Sequence, residues 1–201
     1  HNFFNSTFPP GISRLRSLTH LNAYSNSFIG PLPNETIHLR YLEYLNLGGS
    51  YFEGPIPASY GRIPRLKFMH LAGNNLTGPI PNELGFLNQL EHMEVGYNGY
   101  SGGLPSHLGN LANLVYLDIS TANLSGEIPA ELGNLTKIET VLLFRNHFTG
   151  AIPESLAQLT SLKILDLSDN NLTGTIPVSF SGLKEITQLQ LMGNNLTGEI
   201  P

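Results

Sequence analysis

Apolar positions recur along this chain with two nested periods. The longer is the step from Gly30 to Gly54 to Gly78, and it runs from end to end without insertion or deletion. The shorter is read inside one unit, where Leu159, Leu162, Leu165, Leu167, Asn170, Leu172, Gly174, Ile176 and Pro177 spell L-x-x-L-x-x-L-x-L-x-x-N-x-L-x-G-x-I-P. Leu165 and Leu167 alternate, so they share one face of a short strand, and the residues beside them point the other way. Segments such as residues 131–135, Glu-Leu-Gly-Asn-Leu, read as a helical or 3₁₀ turn. A fixed period in the twenties means stacked units, each touching only its neighbours. The strands then lie in parallel as a concave wall, with the turns on the convex side.

Three further columns punctuate each unit. One reads Asn26, Ser50, Asn74, Asn98, Ala122, Asn146, Asn170, Asn194. Four positions on stands glycine, from Gly30 to Gly198, and three further stands proline, from Pro33 to Pro201. The chain turns sharply after each strand and leaves buried backbone groups without ladder partners. An inward Asn amide both donates and accepts, and so can satisfy turns of adjacent units. Glycine supplies freedom in φ, and proline closes the following extended segment. The spacing is that of a leucine-rich repeat. It predicts one solenoid of about eight repeats over residues 1–201. Both ends fall inside a repeat without the polar caps a solenoid needs, which reads as a piece of a longer array.

If scaffold residues recur, binding residues are those that vary on the open wall. Positions six, four, two and one before the Asn column should face it. They read His20, Tyr44, Phe68, His92, Tyr116, Thr140, Ile164, Gln188; then Asn22, Asn46, His70, Glu94, Asp118, Leu142, Asp166, Gln190. The next two read Tyr24, Gly48, Ala72, Gly96, Ser120, Phe144, Ser168, Met192, and Ser25, Gly49, Gly73, Tyr97, Thr121, Arg145, Asp169, Gly193. No lysine appears. Tyr24, Tyr44, Phe68, Tyr97, Tyr116 and Phe144 appear instead, beside carboxylates, as on an interaction surface. The blander alternative is that the aromatics cover the sheet and pack on one another. Gly48, Gly49, Ala72, Gly73 and Gly96 suggest a shallow strip where a ligand backbone could approach. Adjacent strands lie about 4.8 Å apart, so the wall spans roughly 34 Å and suits an extended peptide of about ten residues.

His70, Glu94 and Asp118 stack in one column, with His92 beside Glu94. An acid/base or metal site is one reading. An open wall lacks the enclosure such chemistry needs, so an acidic patch for a cationic or hydrogen-bond-donating ligand group is preferred. Arg145 lies near Asp166 and Asp169 by register, as a salt-bridge partner or a ligand contact.

Composition narrows the partners. A net charge of −5 with ten Lys and Arg and no basic run argues against nucleic acid or anionic lipid. No apolar run approaches the roughly 20 residues of a membrane span. No motif asks for a cofactor or a metal. Glycan acceptor sequons stand at Asn5, Asn34, Asn75, Asn123, Asn134, Asn171 and Asn195, which points to the secretory pathway.

The segments Leu-Thr-Gly-Pro-Ile-Pro at 76–81, Leu-Ser-Gly-Glu-Ile-Pro at 124–129 and Phe-Thr-Gly-Ala-Ile-Pro at 148–153 resemble the plant-type extracellular leucine-rich repeat. That resemblance covers the whole chain and implies a right-handed superhelix from a receptor kinase, a receptor-like protein or a secreted inhibitor. Residues 44–57, 65–74 and 92–98 resemble receptors for CLE-family peptide hormones. In those receptors the peptide lies along the inner wall, and the segment Gly48, Gly49, Ser50, Tyr51 is among the family's marks. By position, Phe68, His70, Glu94, Tyr97, Asp118, Phe144 and Asp166 would line the peptide path, with Tyr24 and Tyr44 on the same wall. Leu142 falls where the family carries an aromatic. The resemblance further implies a pair of arginines in later repeats, a co-receptor kinase of the somatic embryogenesis receptor kinase type, and a membrane span and Ser/Thr kinase beyond this segment. It implies location at the extracellular face of the plasma membrane, and no catalysis by the segment itself. The alternative is a secreted inhibitor of a cell-wall-degrading enzyme, of the polygalacturonase-inhibitor kind.

Overall fold

The computed structural model describes Asn2 and residues 4–200. Eight short strands form one parallel sheet: His20–Asn22, Tyr44–Asn46, Phe68–His70, His92–Glu94, Tyr116–Asp118, Thr140–Leu142, Ile164–Asp166 and Gln188–Gln190. Their order in the sheet is their order in the chain, and register partners are one repeat apart, as in Phe68 with His92. The middle residue of each strand points into the core. Leu45, Met69, Met93, Leu117 and Leu165 have no exposed surface. Each such side chain stabilises the stack by about 1.5–3 kcal/mol. The flanking residues form the wall, as the alternation predicts.

Among the described residues a 3₁₀ turn of five residues precedes each wall strand, from Pro10–Arg14 before the first to Val178–Gly182 before the last. The proline column closes each extended segment, as expected, and also opens the turn that follows. From Pro33 to Pro177 these residues stand immediately before the turns, at φ between −56° and −68°. Each carbonyl accepts the N–H of the third residue of its turn, as Pro105 does from Leu108 at 3.1 Å. Proline therefore starts the turn, with its φ already set. Pro201 lies outside the described residues. The glycine column is left-handed, as at Gly78 with φ +74°. Among the described residues no helix is long and apolar enough to cross a membrane.

Beside the wall runs a second, interrupted sheet. Ile29–Pro31, Tyr51–Gly54 and Asn75–Leu76 pair in parallel, and Ser125–Glu127 pairs with His147–Thr149. The repeat between them contributes no lateral strand. The Asn column ties these lateral segments to the wall. In an intact rung, the Asn74 amide donates to Leu71 and Leu47 carbonyls at 2.9 and 3.1 Å, and its Oδ1 accepts from Phe52 N–H at 3.1 Å. Asn98, Asn146, Asn170 and Asn194 repeat this pattern. Ala122 has no amide to offer. Tyr100 N–H donates instead to the Ala122 carbonyl at 3.1 Å, while Gly99 and Ser101 N–H still donate to the Leu76 and Gly78 carbonyls of the preceding repeat. Tyr100 itself is fully buried, and burial pushes its phenol above the ordinary range.

Each intact rung satisfies groups that water cannot reach. Removing one leaves several buried polar groups unpaired, at about 1–3 kcal/mol each. We expect Asn146→Ala to lower stability by about 3 kcal/mol or more in chemical denaturation, since it orphans the Ile119 carbonyl and the Ala122 and Leu124 N–H groups. Asn26→Ala should cost less, because the Asn26 Oδ1 is buried without a partner already. Equal effects at the two positions would overturn the ladder's role.

Candidate functional site

The first wall column is a ring stack. His20, Tyr44, Phe68, His92 and Tyr116 are register partners on successive strands. Their centroids lie 5.7, 4.3, 4.5 and 4.3 Å apart, with interplanar angles of 20°, 8°, 15° and 4°. In-register strands set neighbouring rings at the strand spacing, close to the ideal for stacking. Packing of aromatics on one another is thus realised in this column. Tyr44 and Phe68 are half-buried, and the stack takes up their faces.

The second column is governed by short polar contacts. The side-chain oxygens of Asn22, Asn46, Asp118 and Asp166 accept the N–H two positions on, at 3.1, 3.1, 2.9 and 2.9 Å. This turn chemistry is what Asn and Asp do best at a strand end. Asp118 and Asp166 also accept from the hydroxyls of Ser120 and Ser168, both at 2.6 Å. Asp166 and Asn46 are buried.

His70 and Glu94 break that pattern. Glu94 Oε2 lies 3.4 Å from His70 Nδ1, and Glu94 Oε1 is hydrogen-bonded to His92 Nε2. The His92 bond, ahead of the opposing burial, holds the Glu94 carboxyl below its usual range. Burial pushes the His70 imidazole down, and the nearby Glu94 only partly offsets this. Burial, then the Asp118 and Glu94 charges, raises the Tyr116 phenol to about 12. The centre of the wall is therefore an ionised carboxylate held by two imidazoles, next to Asp118.

Gly48 and Gly96 are required by close approach. A Cβ on Gly48 would lie 2.6 Å from the His70 ring, and one on Gly96 would lie 2.4 Å from the Ser120 carbonyl oxygen. The His70 ring covers Gly48, and Tyr24 leans towards it with ring centroids 5.5 Å apart. A Cβ on Gly49 would meet the Tyr24 ring at 3.2 Å. The expected open glycine strip is thus roofed by Tyr24 and His70 at this point.

The column one before the Asn position is left-handed throughout, at φ between +50° and +68°. Three of its residues are the glycines Gly49, Gly73 and Gly193, but Tyr97, Thr121, Arg145 and Asp169 hold the same backbone with side chains. Each such residue costs roughly 1 kcal/mol. Tyr97 is 50% exposed at this strained point. Arg145 Nε reaches Asp169 Oδ2 at 3.5 Å, in an exposed pair that adds little stability.

Two expected residues do not join the wall. Ser50 occupies the Asn column, and its Oγ is buried without a hydrogen-bond partner among the described residues. Tyr51 lies on the lateral sheet, paired with Ile29 in register, and is exposed there. Its place in the repeat equals that of Asn75 and Asn171, so the sequence carried the signal. Leu142 sits between Asp118 and Asp166 in register, and Phe144 is half-buried on the same wall. His92 and Tyr116 belong to the cluster through Glu94 and the stack, on the wall columns where the sequence put them. Asn5, Asn34, Asn75, Asn123, Asn134, Asn171 and Asn195 are all exposed and lie away from the wall strands. Among the described residues no group of three His, Asp or Glu side chains is arranged to hold a metal ion.

Leucine-rich repeat family models match residues 136–196, 65–87 and 113–135. The chain belongs to the leucine-rich repeat family. Among solved structures, this leucine-rich repeat chain is similar to a TDR receptor, with 57% identity, a TM-score of 0.99, all of this chain and 35% of that one covered. It is also similar to the ectodomain of the plant membrane receptor kinase GASSHO1/SCHENGEN3 from Arabidopsis thaliana, solved with CASPARIAN STRIP INTEGRITY FACTOR 2. There identity is 34% and the TM-score 0.97, over all of this chain and 24% of that one. The plant peptide hormone receptor RGFR1, solved with RGF2, matches at 34% identity and a TM-score of 0.92, over 98% of this chain and 31% of that one. The chain thus spans about a third or less of the length of these relatives. Among curated proteins none matches.

The low His70 and Glu94 values give stability a pH dependence of known sign. The unfolded chain takes up protons where the folded one does not, so acid destabilises. The His70 contribution is whole above its ordinary value of 6.5 and fades as pH falls through the folded value. The Glu94 contribution is whole above 4.5 and fades below it. We expect thermal stability to decline from about pH 7 to pH 5, with a shallower decline in His70→Gln. An unaltered pH profile in that variant would refute the assignment.

Proposed function

We propose that this chain is part of the extracellular, peptide-binding region of a plant receptor kinase, and that its concave wall takes an extended CLE-type peptide hormone. The observation that carries this reading is the central wall. There the Glu94 carboxylate, held by His70 and His92, lies beside Asp118 and a five-ring stack. A polar or cationic peptide group fits such a carboxylate, and the ring edges fit apolar or proline side chains. The 57% identity to a TDR receptor over the full chain supports the same reading. The two complexes of similar receptors with CASPARIAN STRIP INTEGRITY FACTOR 2 and RGF2 support it further.

In this reading Tyr24, Tyr44, Phe68, His70, Glu94, Tyr97, Asp118, Leu142 and Phe144 contact the peptide. Asp166, with its carboxylate tied to Ser168, contributes mainly by shaping the wall. A co-receptor kinase of the somatic embryogenesis receptor kinase type, a membrane span and a Ser/Thr kinase complete the signalling protein. The segment itself is non-catalytic and lies at the outer face of the plasma membrane. A secreted enzyme inhibitor is the less favoured reading, because the three solved relatives described above are receptors.

Tyr97 offers a test that separates binding from folding. Tyr97→Gly should raise stability by about 1 kcal/mol, by relieving a left-handed backbone. The same change should weaken peptide binding by about 1 kcal/mol or more in calorimetry on the full ectodomain. Glu94→Gln should weaken binding similarly without unfolding the protein. Unchanged affinity in both variants would overturn the proposal.

A further inference from the structure

The cations of this chain are segregated. Residues 1–67 hold six of the ten Lys and Arg but three of the fifteen carboxylates, a balance of +3. Residues 68–201 hold the other four cations and twelve carboxylates, a balance of −8. Of the six, Lys67 is paired with Glu43 at 2.9 Å. The other five are Arg14, Arg16, Arg40, Arg62 and Arg65. Among the described residues none of these guanidiniums has a carboxylate within ion-pair distance; the five ion pairs lie elsewhere.

The repeat gathers them. Arg14, His38 and Arg62 end three successive 3₁₀ turns, and Arg16 and Arg40 follow two positions after the first two of these. Ser13, Arg14, Arg16, His38, Arg40 and Tyr41 line one open cavity of about 580 Å³. Arg65 lays its guanidinium over the Tyr41 ring, 4.8 Å from the centroid, and Tyr41 is 48% exposed. An uncompensated cationic cluster on an acidic protein attracts anions, and guanidinium forks match carboxylates in particular.

We propose that this cluster, on the side of the solenoid from which its first strands begin, binds a linear polyuronate, a chain of hexuronic acids with one carboxylate per sugar. Three features select it among polyanions. Arginines stand on three successive repeats, Arg14 and Arg16, then Arg40, then Arg62 and Arg65, as the carboxylates of a linear polymer recur along its length. The Tyr41 ring, covered on one face by Arg65 but exposed overall, offers apolar surface to a sugar ring. The N–H groups of Leu15, Leu18, Arg40 and Leu42 all donate within their own turns, so an acidic peptide would find few main-chain donors there. The site shares no residue with the peptide wall, and it stands whether or not that wall takes a hormone.

The test is calorimetric titration of the full protein with three probes: an oligouronate long enough to cross three repeats, a poly-glutamate of equal charge, and a neutral oligohexose of equal length. The oligouronate should bind, with affinity falling as salt rises, and the neutral sugar should not. Replacing both arginines, Arg14→Ala and Arg40→Ala, should weaken uronate binding by about tenfold or more. Tyr41→Ala should weaken it too, whereas Lys137→Ala with Lys163→Ala should not. These side chains are exposed, so the fold is not at stake, and retained peptide binding by the variants would show that the wall is intact. Absence of uronate binding at low salt would overturn the proposal. So would equally tight poly-glutamate binding that ignores Tyr41→Ala, since that would assign the cluster to acidic peptides.

Discussion

The structure depends on one recurring problem and its repeated solution. Once per repeat the chain leaves a strand and turns inside the core, where backbone N–H and C=O groups have no strand partner and no water. One Asn amide bridges carbonyls of its own and the preceding repeat, and its oxygen accepts an N–H from the preceding lateral segment. The amide therefore joins neighbouring repeats as well as closing a turn. At Ala122 the amide is missing, and the Ala122 carbonyl takes the Tyr100 N–H that an Asn oxygen would have accepted. At Ser50 the hydroxyl is too short to make the bridge and stays unpaired.

The wall inherits its properties from this frame. A turn that must drop into the core immediately after the strand forces a left-handed residue just before the Asn column, and all eight repeats obey. Strict register brings side chains of one column to the strand spacing, which suits flat rings, so five of them stack. The same register brings His70 to Glu94. The stack and the Asx contacts make much of the wall rigid before any ligand arrives. An extended ligand would meet a preformed surface, with little side-chain entropy left to lose. Tyr24 and Tyr97 remain the most exposed aromatics of the wall. The arginine cluster lies apart from it, so the solenoid presents two surfaces of opposite charge.

The repeat length, the strands, the inward leucines, the Asn bridges and the choice of wall were all legible in the sequence. Each repeat solves the same burial problem with the same residues, and periodicity reports that directly. Most of the wall was legible as a set of columns for the same reason. Ser50 and Tyr51 are the exceptions, although their places in the period equal those of Asn74 in the Asn column and Asn75 on the lateral sheet.

What the tertiary structure alone decided is how the wall residues are used. Whether Phe68 offers its face to a ligand or to Tyr44 and His92 depends on rotamers and on neighbours one repeat away. Whether Asp118 and Asp166 are open charges or turn-closing acceptors depends on a serine two positions on and on the direction the backbone takes after the strand. Period and composition fix where a side chain emerges, because burial of the repeated apolar face leaves one backbone path. They do not fix which partner it finds, because that is settled by contacts between repeats whose variable residues follow no period.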